Sequence, residues 1–173
     1  MEAVRLFECK KPIVGAIQGP AIGGGLGLAM VPDFRVTCPE ARFAANFTRL
    51  GFHPGFGLTE TLPAVVGQQN ANMMLLTSRR LKGKEAHAIG LADILVPHEE
   101  VRSSAKRLAI EIAENAPLGV METRATMRRG LAERVRMATR HELEIQNRLK
   151  ATTDFKEGVK AMAERRVPNF TGS

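Results

Sequence analysis

Short apolar segments alternate with glycine- and proline-rich turns in the first half of the chain, a pattern that predicts an α/β fold. Ile13–Gln18 combines β-branched and small residues, which is typical of a strand covered on both faces. Gly23–Gly25 then opens a short apolar helix that we expect to end near Met30, and Phe34–Thr37 predicts the next strand. A strand, a glycine turn, a helix and a second strand together predict a right-handed crossover unit.

The remaining elements are predicted from apolar spacing and from turn residues. In the first half we expect a helix end at Val4–Cys9, an extended segment at Ala41–Asn46, a loop at Gly51–Gly57, a helix from Thr59, an apolar core helix at Asn70–Thr77, a short helix at Lys84–Ile89 and a short strand at Asp93–Val96. Helical periodicity then predicts four helices at Glu99–Asn115, Pro117–Arg129, Leu131–Leu149 and Asp154–Arg166. The chain therefore divides into an α/β part, residues 1–97, and a helical layer, residues 98–173.

Composition narrows the class of protein. A chain of 173 residues, 44% hydrophobic and 25% charged, suits one soluble globular domain. It contains no run of about 18 apolar residues and begins without the apolar core of a signal peptide, so we expect no membrane association and a cytoplasmic location. Cys9 and Cys38 stand apart from other candidate metal ligands, and we therefore expect neither a disulfide nor a metal site.

The net charge of +7 would attract polyanions, either nucleic acid or a phosphorylated small molecule. Many of the arginines lie late in the chain, at Arg124, Arg128, Arg129, Arg134, Arg136 and Arg140. Helical spacing favours an exposed, solvated stripe for them. The chain has no Tyr or Trp, and no Phe is interleaved with these arginines to stack on bases, so nucleic acid is the less favoured partner.

The glycine run is the strongest candidate for chemistry. Its spacing does not match the dinucleotide-binding fingerprint, and Gly24 is followed by Gly25 instead of the lysine that a P-loop requires. Free backbone amides between a strand and a helix can stabilise an oxyanion. Close packing of the helix against the sheet, or a left-handed turn, would require the same glycines. These three interpretations stay open on spacing alone.

Motifs along almost the whole chain resemble the enoyl-CoA hydratase/isomerase (crotonase) family. In order, they are KPIVGAIQGPAIGGGLGLAM with PDFRV, ARFAANFTRLGFHPGFGLTETLPAVVG, LLTSRRLKGKEAHAIGLADILVP and DFKEGVKAMAERRVPNFTG. The resemblance implies a ClpP/crotonase-type βαβ spiral core and a carboxyl-terminal helical layer that serves oligomerisation and closure of the CoA site. Family members carry a further amino-terminal segment, so the resemblance also implies an amino-terminally truncated chain.

The resemblance implies a protein that binds acyl-CoA thioesters and stabilises their enolates, with no cofactor because CoA is part of the substrate. The amide of Gly24, next to Gly23, matches an oxyanion donor of the family. Arg165, Arg166 and Phe170 resemble a closing basic pair and aromatic that lie near the CoA adenine and phosphates in relatives. A helix-end basic pair with a packed Phe is the structural alternative. A homotrimer or a dimer of trimers is also implied.

Other residues occupy the positions of the two glutamates that family hydratases use. These positions match Gly27 and Phe47. Hydration needs groups that move protons, and amides that stabilise an enolate cannot do so, so we expect weak hydration of crotonyl-CoA. His53 is the remaining candidate for proton transfer, with a structural loop histidine as the alternative, and Asp33 is expected to be structural. A non-catalytic CoA-binding or assembly protein is the alternative function, and RNA binding is a less favoured one.

Overall fold

The computed structural model describes residues 2–173 and contains two small sheets and a series of helices. The strands are β1 (Val14–Ile17), β2 (Pro20–Ile22), β3 (Phe34–Thr37), β4 (Arg42–Ala44), β5 (Arg80–Lys82) and β6 (Ile94–Leu95). The helices are α1 (Glu2–Phe7), α2 (Gly24–Ala29), α3 (Leu58–Thr77), α4 (Gly83–Ala88), α5 (Val101–Ala113), α6 (Pro117–Met127), α7 (Leu131–Leu149) and α8 (Thr153–Ala163). Short 3₁₀ turns lie at Thr48–Leu50 and His98–Glu100.

The first four strands alternate between two sheets. One sheet has the order β1-β3-β6 and is parallel throughout. In the other sheet, β2 is parallel to β4, which pairs antiparallel with β5. Strands β1 and β2 are followed by β3 and β4 in the same two sheets, so each turn of the chain adds one strand to each. The predicted fold class, an α/β spiral core followed by a helical layer, is confirmed.

Some local predictions differ from the structure. Strands β2 and β5 were not predicted, because each has only three residues and Pro20 signals a stop, although proline is tolerated as the first residue of a strand. The two helices predicted between Thr59 and Thr77 follow each other within α3, where the non-helical φ 77° and ψ 158° of Gly67 form the break between them. The expectation of a core helix at its end is only partly correct, because Met74 is buried but Leu76 is 73% exposed.

The main core lies between the two sheets and the helices α2 and α3. Its most enclosed side chains include Phe43, Leu26, Leu58 and Leu62. A second, smaller cluster joins α1 to α7 through Val4, Phe7, Val31 and Val135. None of the helices in the described part of the chain is long and apolar enough to cross a bilayer.

Two arginines, Arg124 in α6 and Arg128 directly after it, turn inward, so the prediction of an exposed arginine stripe is wrong for them. Arg124 Nε and Arg128 Nη1 donate to the Asp33 carboxylate at 2.9 and 2.7 Å, and the Ile13 amide donates to it at 2.8 Å. Burial alone would raise the pKa of Asp33, but these hydrogen bonds outweigh it and hold the pKa below its usual value. Asp33 therefore anchors α6 to the β1–β3 sheet, which is the structural role expected for it.

Candidate functional site

The glycine run forms a turn that leaves two backbone amides free. Gly23 caps α2 with φ 58° and ψ −119°, and its carbonyl accepts from Leu26 N and Gly27 N. Among the described residues, the amides of Gly24 and Gly25 have no backbone or side-chain acceptor. Unpaired amides at the start of a helix are available to an external acceptor. The turn therefore offers two donors to a ligand.

Two of the three interpretations of the glycine run apply to particular residues of the turn. Gly23 needs glycine because its φ is positive, and a Cβ there would also lie 3.2 Å from Asn46 Oδ1. Gly27 needs glycine for packing, because a Cβ there would lie 2.5 Å from Phe56 Cβ. A Cβ on Gly24 or Gly25 would meet nothing within 4 Å. Neither a positive φ nor close packing accounts for glycine at these two positions.

The two positions expected to match the family's glutamates lie in apolar surroundings in the structure. Phe56 covers Gly27 and itself has φ 66°, an uncommon conformation for an aromatic residue. Phe47 is 9% exposed, packs against Phe52 with ring centroids 6.4 Å apart, and places its Cζ 3.8 Å from the Cβ position of Gly23. Neither position carries a group that can move a proton.

A cleft of about 810 Å³ begins beside the glycine turn. Ile22, Ala44 and Asn46 line the end that lies next to Gly23. Farther along, the cleft is bounded by arginines at the start of β5 and by the end of α8 and the residues after it. The cleft is therefore suited to a ligand that carries negative charge.

Backbone strain is concentrated around this region. The non-glycine residues with positive φ in the described chain are Phe56, Ser78 and Arg165, at 66°, 54° and 56°. Ser78 and Arg165 line the cleft, and Phe56 covers Gly27. Strained backbone persists where the surrounding structure holds it, often at ligand sites. Ser78 Oγ is held by Thr48 Oγ1 at 2.7 Å and accepts from Arg49 N at 3.1 Å.

The carboxyl-terminal residues form their own network. Arg166 lines the cleft, but its guanidinium binds both carboxylate oxygens of Glu157, at 2.5 and 2.8 Å, and also Glu164. The Arg166 hydrogen bonds lower the pKa of Glu157 to about 2. Phe170 is 40% exposed. Asp154 accepts from the amides of Thr171 and Gly172, which fastens the tail to α8.

His53 lies in a loop that is hydrogen-bonded to α7. Its Nδ1 lies 2.8 Å from Pro54 O, and its own carbonyl accepts from Gln146 Nε2 at 3.0 Å. Glu142, one turn earlier on α7, accepts from Gly57 N at 2.7 Å. No cluster of metal-ligating side chains occurs in the part of the chain that the structure describes.

Sequence reasoning missed several residues of this region. Glu142 could have been found, because an acid on the apolar stripe of α7 that includes Val135 needs a buried partner. Asn46, Arg49 and the pair Arg79–Arg80 gave no such signal, because strand pairing and the fold of α8 bring them to one cleft.

Residues 2–173 match the family described as enoyl-CoA hydratase/isomerase. A crotonyl-CoA hydratase of Syntrophomonas wolfei is 36% identical over 167 residues, which are 96% of this chain and 64% of that protein. A short-chain-enoyl-CoA hydratase of Clostridium acetobutylicum is 35% identical over 94% of this chain and 62% of its own length. The chain therefore spans less than two thirds of the length of these relatives.

Solved structures share the fold. An enoyl-CoA hydratase/isomerase from Pseudoalteromonas atlantica superposes with a TM-score of 0.87 at 32% identity, covering 98% of this chain and 68% of that one. An enoyl-CoA hydratase from Mycobacterium avium subsp. paratuberculosis gives 0.88 at 30% identity, covering 97% and 69%.

Proposed function

Because the chain belongs to the enoyl-CoA hydratase/isomerase family, as its motifs had indicated, we propose that it binds an acyl-CoA thioester and stabilises the enolate of the acyl group. The observation that carries this proposal is the pair of free amides at Gly24 and Gly25, whose glycines have no packing reason. The names of the relatives, hydratases of crotonyl-CoA and of short-chain enoyl-CoA, support an acyl-CoA ligand.

The proposed chemistry follows from where charge develops. When the α-carbon of a thioester loses a proton, or its double bond is attacked at the β-carbon, the electron pair moves onto the thioester oxygen. A backbone N–H aimed at that oxygen stabilises the anion more than the neutral carbonyl, by about 3 kcal/mol for one donor. Gly24 N–H is the proposed donor, and Gly23 sets the turn that presents it.

The residues at the two glutamate positions do not supply the proton transfer. Gly27 has no side chain and Phe47 has no titratable group, so both shape the site without moving protons. His53 stays the proposed candidate. If Nδ1 carries the proton and donates to Pro54 O, Nε2 is left as the acceptor that a general base needs. We expect slow hydration of crotonyl-CoA by this chain.

The proposal extends to location and assembly. We place the protein in the cytoplasm, with no cofactor beyond the CoA of the substrate, and as a homotrimer or dimer of trimers. Residues 98–173 form the helical layer that would oligomerise and close the CoA site, with Arg166 and Phe170 as proposed CoA-binding residues. The layer exposes the large apolar side chains Ile110, Leu118, Met127 and Met137, which supports a subunit contact there.

Two substitutions at one position test the proposed donor. Gly24→Pro removes the amide hydrogen, and proline is well tolerated at the first residue of a helix, which Gly24 occupies in α2. Gly24→Ala keeps the amide, and its Cβ would meet nothing within 4 Å. Comparison of these two variants therefore separates the effect of losing the hydrogen-bond donor from the effect of a larger side chain.

The readout is the near-ultraviolet absorbance of the enolate of bound acetoacetyl-CoA, measured against pH. The wild-type chain and Gly24→Ala should favour the enolate, and Gly24→Pro should reduce that preference about 100-fold, the effect of one oxyanion donor. Thermal unfolding checks that all three chains fold. Equal enolate formation in folded Pro and Ala variants would overturn the role of Gly24, and no binding of the thioester by the wild-type chain would overturn the function.

A further inference from the structure

Four arginines around the cleft have no partner for their charge. The guanidinium groups of Arg49, Arg79, Arg80 and Arg165 make no hydrogen bond or ion pair within residues 2–173 that the structure describes. Arg166, also in the cleft, differs from them because Glu157 and Glu164 bind it. No Asp or Glu is among the residues that line the cleft in the described chain. The cleft therefore carries an excess of positive charge.

The backbone holds three of these arginines together. Arg49 lies in the 3₁₀ turn after β4, and its amide donates to Ser78 Oγ at 3.1 Å. Ser78 has a left-handed conformation and directs the chain into Arg79 and Arg80, where β5 pairs with the end of β4. Like charges held close together repel unless a counter-charge neutralises them. This arrangement favours an anionic ligand.

The cleft also begins where the proposed thioester site lies. Asn46 lines it, and Asn46 Oδ1 is 3.2 Å from the Cβ position of Gly23, next to the free amide of Gly24. A thioester whose oxygen binds Gly24 has two arms, the acyl chain and the CoA moiety. Asn46 lies at the end of the cleft next to the glycine turn, so we place one of these two arms in the cleft.

We infer that Arg49, Arg79 and Arg80 bind an anionic group of the thioester ligand in this cleft, an inference that rests on the proposed function. Guanidinium groups match phosphate and carboxylate geometry with paired N–H donors. The anion has two possible sources on such a ligand, the phosphates of the CoA moiety and a carboxylate at the far end of the acyl chain. The two sources are distinguished by the choice of thioester.

The test measures binding by calorimetry for three thioesters: butyryl-CoA, butyryl-pantetheine, which lacks the phosphates, and glutaryl-CoA, which adds a carboxylate. The first variant is Arg79→Gln/Arg80→Gln, and a second variant adds Arg49→Gln to these two substitutions. Arg102→Gln/Arg140→Gln is the matched control, because it removes the same charge from exposed arginines on α5 and α7 outside the cleft. Each affinity is measured at low and at physiological salt.

We expect the cleft variant to weaken binding at least about tenfold and to reduce its salt dependence, while the control pair has little effect. If phosphate is the anion, both CoA thioesters lose affinity and butyryl-pantetheine does not. If carboxylate is the anion, the loss is confined to glutaryl-CoA. An equal loss in the control pair, an unchanged affinity for all three thioesters, or tighter binding of an RNA oligonucleotide through the same arginines would overturn the inference.

Failure of this inference is separable from failure of the proposed function. Gly24→Pro tests the oxyanion donor separately, through the enolate absorbance of bound acetoacetyl-CoA. Weaker enolate stabilisation in Gly24→Pro, together with no effect of the arginine substitutions, would reject the anion site alone. An effect of the arginines without any effect of Gly24→Pro would support the anion site and reject the oxyanion role.

Discussion

Substitution of Glu142 should weaken both the fold and the loop beside the candidate site. The side chain is 1% exposed. Its carboxylate accepts from Gly57 N at 2.7 Å, from Thr59 N at 3.1 Å and from Thr59 Oγ1 at 2.7 Å. Gly57 is the N-cap of α3 and has no side chain of its own to cap that helix. Glu142 therefore caps α3 from α7 and holds the end of the loop that contains His53.

The magnitude for Glu142→Gln follows from these three contacts. Glutamine can keep its carbonyl oxygen toward Thr59, but its NH₂ group then faces the Gly57 amide, and two donors cannot bond. One charge-assisted hydrogen bond is lost and a buried N–H is left unsatisfied, which together cost about 3 kcal/mol. For a domain of this size such a loss lowers Tm by roughly 10 °C.

Urea unfolding of Glu142→Gln and of Glu144→Gln measures this difference. Glu144 is exposed on the same helix, so its substitution removes the same charge and should change stability by less than about 0.5 kcal/mol. Hydrogen exchange adds a local readout, because the Gly57 and Thr59 amides bond directly to the carboxylate and should lose protection in Glu142→Gln alone. Equal stability of the two variants, with unchanged protection at both amides, would refute the reasoning.

Two further predictions concern packing and pH. Gly27→Ala should destabilise the chain by about 2 kcal/mol, because its Cβ would lie 2.5 Å from Phe56 Cβ. This loss of stability should be smaller in a Phe56→Gly background. If a double-mutant cycle shows that the two losses of stability add, the contact is not responsible. Folding lowers the pKa of the Asp33 carboxylate. The stability that this carboxylate contributes is therefore fully present above its pKa in the unfolded chain, about 4, and is lost as the pH falls through its lower pKa in the folded chain. Asp33→Asn should therefore be less stable by about 3 kcal/mol at neutral pH and should lose less stability than wild type as the pH falls below about 4. Parallel pH profiles of the two chains would contradict the assignment.

The order of the long elements could be read from the sequence because it depends on short-range patterns. β3 has the bounds that its apolar run predicts, and α7 has those of its helical period. The strands β2 and β5 could not be read, because three residues carry too little periodicity and the pairing with β4 is what stabilises them. Similarly, Arg124 looked like part of a solvated face, and only the packing of α6 brings it to Asp33.

The candidate site divides in the same way. The sequence by itself determined that glycine runs from Gly23 to Gly25 and that neither Gly27 nor Phe47, the positions proposed to match the family's glutamates, is an acid, since these are identities at positions along the chain. Only the tertiary structure decided which glycine serves conformation, which serves packing and which leave an amide free. The Glu142 cap joins residues 85 positions apart, and the arginine cleft joins β5, a 3₁₀ turn and the end of α8. Local preference acts over a few residues, whereas such contacts exist only after distant segments have packed together.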